Sequence, residues 1–264
     1  MCEMYIPTAI KELINDHDYY VDDIGCSDST VFVFKDKVLK IRPYNTEADS
    51  EYIMMKWLWN KISVPRCICH LVENGVDYLL MTRIDGKMSC DESVMRDPIR
   101  LMKLLADGLK RMWQVDIKDC PIDQGVSGIL IDIKNRLDSG SISVEDWRPI
   151  TFGECTFETI YQAYNWLVSN KPLEEPVLSH GDYCLPNVIV GKNGLAGFID
   201  LGYSGVADKW KDIALCYRSL KSNYCGRFAK RVCEDFDASI LFEALGIEPN
   251  WEKMNYYFLL DELF

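Results

Sequence analysis

The chain has 264 residues, 41 of them acidic and 29 basic, for a formal net charge of −12. That acidic balance argues against a nucleic-acid partner, which calls for a basic face. With 48% hydrophobic and 27% charged residues, the composition excludes disorder and fibre, and the length suffices for one large domain or two lobes, each with its own core.

No apolar run approaches the roughly 18 residues of a membrane span; Val76–Met81 is interrupted by Asp77 and followed by Arg83. The N-terminus lacks a basic stretch followed by an apolar one, so a cytoplasmic protein with no membrane partner is expected. Eleven cysteines, an odd number at irregular spacing with no C-x-x-C, read as reduced thiols serving as small core residues, not as a disulfide framework or zinc site.

In chain order, Pro7–Tyr20 has helical spacing, and residues 25–29 form a turn-rich loop. Thr30–Phe34 and Val38–Arg42, rich in β-branched and aromatic residues, read as a hairpin across Lys35–Lys37. Thr46 is placed to cap a helix reaching Lys61, with Ile53, Met54, Trp57 and Leu58 on one stripe. Arg66–Val72 and Val76–Met81 flank Glu73-Asn74-Gly75, a strong turn signal. After Asp85-Gly86 helical periodicity takes over. Helices are expected over Ile99–Val115, Val126–Leu137, Phe157–Val168, Ala207–Leu220, Phe228–Leu245 and Trp251–Leu263. A hairpin joins Asn187–Val190 to Leu195–Ile199 across Asn193-Gly194. The expected division is a small β-rich lobe with one helix over residues 1–82 and a larger, mostly helical lobe over 83–264, with a hinge at about 82–86.

One segment carries the chemistry: Ser179-His-Gly-Asp182-Tyr-Cys-Leu-Pro-Asn187, then Gly197-Phe-Ile-Asp200-Leu-Gly202. Asp182 and Asn187 lie on a loop entering a strand, and Asp200 ends the next strand. A hairpin joins its two ends in space, so Asn187 and Asp200 converge. One carboxylate and one amide oxygen suit Mg²⁺, which keeps waters and takes its remaining ligands from phosphate. Asp182 beside them can act as base or positioner for a hydroxyl, the arrangement phosphoryl transfer requires.

This segment resembles the catalytic loop of protein kinases, with His-Gly-Asp for His-Arg-Asp and Ile-Asp-Leu-Gly for Asp-Phe-Gly. The resemblance implies a lysine on an inner strand and a helix glutamate that orients it. Lys40, in Val38-Leu-Lys-Ile41, and Glu51, eleven residues on, fit those places. It also implies a phosphate-facing loop, for which Ser27 in Gly25–Ser29 is the best residue, and an adenine-binding hinge. There Met81 stands behind the adenine or in ordinary core, and Thr82 and Ile84 contribute backbone groups.

The likeness narrows further. His180–Asn187, Gly197–Gly202, Gly205-Val-Ala-Asp-Lys-Trp-Lys-Asp-Ile-Ala-Leu215 and the ending Tyr256–Phe264 resemble the aminoglycoside 3'-phosphotransferases, antibiotic-resistance kinases. With Lys40, Glu51 and Met54–Leu58 the likeness runs along nearly the whole chain. It implies an α+β, bilobal protein-kinase-like fold and transfer of the γ-phosphate of ATP, or alternatively GTP, to the 3'-hydroxyl of kanamycin- or neomycin-like antibiotics. It implies Asp182 as the catalytic aspartate, Asn187 and Asp200 as Mg²⁺ ligands, and Glu145, Asp261, Glu262 and the Phe264 carboxylate as contacts to the substrate. A monomer is expected.

Aminoglycosides are polycations, and Val232–Phe264 carries eight acidic side chains against one base, Lys253. That cluster reads either as an anionic substrate seat or as a solvated helix surface. Two positions depart from the family: Tyr203, where arginine is common, and Arg148, where a relative offers an acid. The alternatives are a related kinase for another hydroxyl substrate (a macrolide, choline or a sugar) and a kinase-like binding module without catalysis. The intact set Lys40, Glu51, Asp182, Asn187 and Asp200 weighs against the second.

Overall fold

The computed structural model describes residues 5–14, 18–22, 29–142, 147–148, 150–152, 155–226 and 236–263. Helix α1 (Thr8–Lys11) precedes strands β1 (Tyr20–Asp22), β2 (Thr30–Val33) and β3 (Lys37–Pro43). Helix α2 (Thr46–Leu58) follows, then β4 (Cys67–Glu73) and β5 (Val76–Thr82). The five strands form one antiparallel sheet in the order β1-β2-β3-β5-β4. The expected turn forms at Asn74 and Gly75, with φ of 55° and 76°, the left-handed pair a two-residue hairpin needs.

Strand alternation sorts the side chains of this sheet. Leu39 and Ile41 of β3, with Tyr78 and Leu80 of β5, pack on Ile10 and Ile14 in a small core. Leu79 and Met81 face the other way, onto Met54, Met55 and Leu58 of α2. Lys40 and Arg42, one step out of phase with Leu39 and Ile41, share that second face, and both are buried.

Three expectations change here. The N-terminal helix stops at Lys11, and Tyr20–Asp22, rich in β-formers, pairs with β2. Helix α2 is capped by Asn45, whose side chain accepts from the Ala48 N–H at 2.8 Å, and not by Thr46. Its inward stripe is Ala48, Glu51, Met54, Met55 and Leu58, whereas Ile53 is exposed. Glu51 thus sits at a buried position of the apolar repeat.

Beyond Thr82, β6 (Lys87–Met88) leads into α3 (Glu92–Met95), α4 (Pro98–Trp113) and α5 (Val126–Asp138). The hairpin β7 (Ile150–Phe152)–β8 (Cys155–Phe157) precedes α6 (Ile160–Ser169), which opens on a capping box of Thr159 and Gln162. Strand β9 (Pro176–Ser179), the 3₁₀ turn Leu185–Asn187, and strands β10 (Val188–Gly191), β11 (Gly194–Phe198) and β12 (Gly205–Asp208) surround the catalytic-loop segment. Helices α7 (Lys209–Tyr224), α8 (Ile240–Leu245) and α9 (Trp251–Leu263) complete the described chain. Strands β6, β7, β8, β9 and β12 add to the single hairpin expected, and the β9–β12 pair holds the two flanks of the catalytic segment together.

The expected helix from Phe228 is seen only from Ile240; residues 227–235 lie outside the described residues. Just before it, Asp237 accepts from the Ser239 N–H and hydroxyl, a local turn that competes with helix. The cysteines also differ from expectation. Of the described cysteines, all free thiols, only Cys216 is buried. No helix among the described residues is long and apolar enough to cross a membrane.

Candidate active site

The hairpin β10–β11 delivers what its spacing promised. Val188 pairs with Phe198, and the Ile199 N–H donates to the Asn187 carbonyl at 3.0 Å, so Asn187 and the residue before Asp200 are bonded neighbours. Asn187 donates its amide nitrogen to Asp182 Oδ2 at 2.8 Å and to the Asp182 carbonyl at 3.0 Å. Asn187 also lines the cavity described below. Asp200 adopts φ of 61°, a left-handed conformation rare outside glycine that costs about 1–3 kcal/mol and recurs where a side chain must be aimed.

The catalytic loop is held from below. Asp212, fully buried on the first turn of α7, accepts the His180 N–H at 2.7 Å and the Gly181 N–H at 2.9 Å. The His180 ring nitrogen lies 3.0 Å from the Ile199 carbonyl. Asp212 was quoted in the sequence motif without a role; its signal was a carboxylate among Trp210, Ile213 and Ala214 on the inner face of a helix. A Cβ on Gly181 would fall 1.8 Å from the Tyr203 carbonyl, so the residue before Asp182 must be glycine.

From the sheet, Lys40 Nζ donates to Glu51 Oε2 at 3.0 Å and to Asp200 Oδ1 at 2.7 Å. Burial opposes the Lys40 charge, but Glu51 and Asp200 outweigh it and raise its pKa above the usual lysine value. Burial likewise opposes ionisation of Asp200, yet Lys40 holds that carboxyl below the usual range. Asp182 goes the other way. Burial, and then the charges of Asp200 and Asp261, push its carboxyl up, with His180 acting against them. Two carboxylates with environments that drive their pKa values apart make this a candidate acid–base site.

Lys40, Glu51, Met81, Thr82, Ile84, Asn187 and Asp200 line one cavity of ≈ 480 Å³. Val31, Val38, Ile189 and Ile199 supply apolar wall and Lys40, Glu51 and Asp200 supply charge to the same cavity, a lining suited to a flat base with a phosphate tail. Of the Thr82 backbone groups, only the carbonyl is left by the following bonds. The Thr82 N–H donates to the Arg66 carbonyl at 2.9 Å, and its hydroxyl accepts from the Arg66 N–H, so that N–H is spent within the sheet and does not meet an adenine. A second hollow, of ≈ 590 Å³, lies among Lys61–Ser63, the end of α4 and β11; it contains none of the predicted residues.

The Asn187 and Asp200 oxygens fit Mg²⁺. They are hard donors in the cavity that Lys40 also lines, and a cation that takes phosphate oxygens and water needs only one or two protein ligands. No cluster of three His, Cys, Asp or Glu side chains suited to a metal occurs among the described residues.

On the far side of Asp182 stands the end of α9. Leu259, Leu260 and Leu263 are buried and anchor it. Asp261 forms an ion pair with Arg218, and Glu262 lies 3.5 Å from the same guanidinium. Arg218, on α7, was missed because it is distant in sequence. The acidic tail is not one patch. Glu252 is at the start of α9, about 14 Å along the axis from Asp261, and Lys253 is buried against Asp208 and Glu175. Ser27, Glu145 and Phe264 lie outside the described residues, as do Glu234 and Asp235.

Residues 21–256 match the model of the phosphotransferase enzyme family. The chain is 33% identical to an aminoglycoside 3'-phosphotransferase of Enterococcus faecalis, covering 100% of both chains. It is 32% identical to one of Staphylococcus aureus at the same coverage. Among solved structures it superposes on an aminoglycoside phosphotransferase of Streptomyces rimosus with TM-score 0.74 at 20% identity, over 98% of this chain and 99% of that one. The complex of that enzyme with ADP and streptomycin gives TM-score 0.72 at 20% identity, over 97% of each chain.

Proposed function

The chain belongs to the phosphotransferase enzyme family, a kinase acting on a hydroxyl group with an α+β, bilobal protein-kinase-like fold, and we propose that Asp182 takes the proton from the 3'-hydroxyl of an aminoglycoside. The phosphoryl donor in this reading is ATP. The observation that carries it is the convergence of Lys40, Asn187 and Asp200 on one cavity with Asp182 bonded to Asn187 beside them.

Each group has a task in this reading. Lys40, oriented by Glu51, neutralises the α- and β-phosphates. Asn187 and Asp200 would hold Mg²⁺, which would supply positive charge against the phosphates. Asn187 ties the metal ligand set to the base through its own side chain. Asp182, with its raised pKa, accepts the hydroxyl proton as the acceptor oxygen attacks in line. Asp261 and Glu262 receive the ammonium groups of the antibiotic, and Arg218 between them tempers that negative charge. The lobes divide at about residues 82–86, the protein acts as a cytoplasmic monomer, and neither nucleic acid nor membrane takes part.

A coupled ADP-release assay over a panel of aminoglycosides tests the reading. Turnover is expected with kanamycin- and neomycin-like compounds and none with a 3'-deoxy compound; turnover of the latter overturns the regiochemistry. Glu262→Ala is expected to raise KM for the aminoglycoside roughly three- to tenfold, the loss of one charge-assisted bond at a partly exposed site. KM for ATP should not move. An equal rise in both constants removes α9 from the substrate site.

A further inference from the structure

The sheet face that presents Lys40 presents Arg42 beside it, two residues along β3. Opposite stand Glu47 and Glu51, four residues apart and so on one face of α2. The pairs interlock. Arg42 Nη2 lies 2.7 Å from Glu51 Oε2, an ion pair whose N–H directions are not aligned for a hydrogen bond. Arg42 Nη1 is 3.5 Å from Glu47 Oε1, and Arg42 Nε donates to buried Asp77, its register partner on β5, at 3.2 Å. Glu51 therefore answers to two cations.

From Glu47 the network crosses to the other side of the cleft. The Tyr203 hydroxyl donates to Glu47 Oε2 at 3.0 Å. Tyr203 follows Asp200 by three residues. Two glycines show that this approach is built into the backbone. A Cβ on Gly202 would lie 2.6 Å from Glu47 Cγ, and one on Gly181 would strike the Tyr203 carbonyl. The segment 200–203 is thus wedged between the catalytic loop and the first turn of α2. Burial and the adjacent Glu47 carboxylate push the Tyr203 phenol up, so it stays protonated and donates throughout the neutral range.

We propose that Tyr203, Glu47 and Arg42 form a brace across the cleft, parallel to the Lys40–Asp200 contact, which holds the Asp200 loop in its metal-binding position. They are positioning residues. The inference rests on the reading of Asn187 and Asp200 as Mg²⁺ ligands. The strained Asp200 conformation is then set from the other side of the cleft, through Tyr203, Glu47 on α2 and Arg42 on β3.

The test compares ADP affinity, by calorimetry, in Mg²⁺ and in EDTA, for the wild type, Tyr203→Phe, Glu47→Ala and the double variant. Each single variant is expected to lose roughly tenfold of the affinity that Mg²⁺ adds, the consequence of removing one hydrogen bond to a charged acceptor. ADP affinity in EDTA and KM for the aminoglycoside should stay at wild-type values. The double variant should be no worse than the weaker single one, because either change opens the same link. Wild-type Mg²⁺ dependence in both variants, with only a lowered unfolding midpoint, overturns the brace, as do fully additive effects. If one variant fails to fold, the other decides. A wild type whose ADP affinity is indifferent to Mg²⁺ overturns the metal-site reading itself, and the brace with it.

Discussion

Asp182→Ala is expected to lower kcat by about 10²–10⁴, the range contributed by a positioned general base, while ADP still binds with wild-type affinity. The split follows from the way Asn187 is held. Its amide nitrogen bonds both the Asp182 carboxylate and the Asp182 backbone carbonyl. Truncation removes the first bond and keeps the second, so Asn187 stays in the cavity. Steady-state rates and calorimetry together check this, and a variant with near-wild-type turnover would end the assignment.

The same residue sets a pH dependence. A base works only when ionised, so kcat/KM falls as pH drops through the Asp182 pKa. Burial, with the charges of Asp200 and Asp261, raises that pKa, which moves the acid limb above the ordinary aspartate value of about 3.9. The limb should vanish from the residual activity of Asp182→Ala. Asp261→Asn removes one of the charges that hold the pKa up and should shift the limb to lower pH.

Asp208→Ala is the substitution with the largest expected cost in stability. Asp208 is fully buried at the start of α7. Its Oδ1 accepts the Trp210 N–H and the Glu175 N–H, both at 3.3 Å. Its Oδ2 accepts Lys253 Nζ at 3.0 Å and the Tyr257 hydroxyl at 2.9 Å, both on α9. Truncation strips a helix cap and leaves Lys253 with only the more distant Glu175, 3.3 Å away. Breaking a buried pair in this way costs about 3–5 kcal/mol. Urea denaturation should show that loss as a lowered midpoint, and a change below about 1 kcal/mol would show that Asp208 is not the joint between α7 and α9. The joint bears on function, because α9 carries Asp261 and Glu262 and α7 carries Asp212 under the catalytic loop.

Much of this arrangement is legible in the sequence, for reasons of range. Asp182, Asn187 and Asp200 lie within one loop and one hairpin, so their spacing dictates their meeting. Lys40 was legible because strand alternation separates it from Leu39 and Ile41. Glu51 was placed by its distance from Lys40, although the expected stripe with Ile53 was rotated from the true one. Had the stripe been drawn through Ala48, Glu51, Met55 and Leu58, the carboxylate would have stood out as a buried member.

Other features had no local signature. Strands of two to four residues such as β6, β9 and β12 are too short for periodicity and exist because a distant segment offers its backbone. The acidic tail looked like a single surplus because sequence counts charge without position. In space Lys253 turns inward to Asp208, and Arg218 comes from α7 to meet Asp261 and Glu262.

The sequence by itself determined the family resemblance, the hairpin that joins Asn187 to Asp200 and the alternation that separates Lys40 from Leu39 and Ile41, because a hairpin length and a repeat of two are local; Glu51 was named through the resemblance. Only the tertiary structure decided that Lys40 reaches Asp200 across 160 residues and that Tyr203 reaches Glu47 across 156. It alone decided that Arg42 shares Glu51 with Lys40. The physical reason is that a side-chain contact at such separation is set by how a whole sheet and a whole loop pack together. No local spacing carries that information.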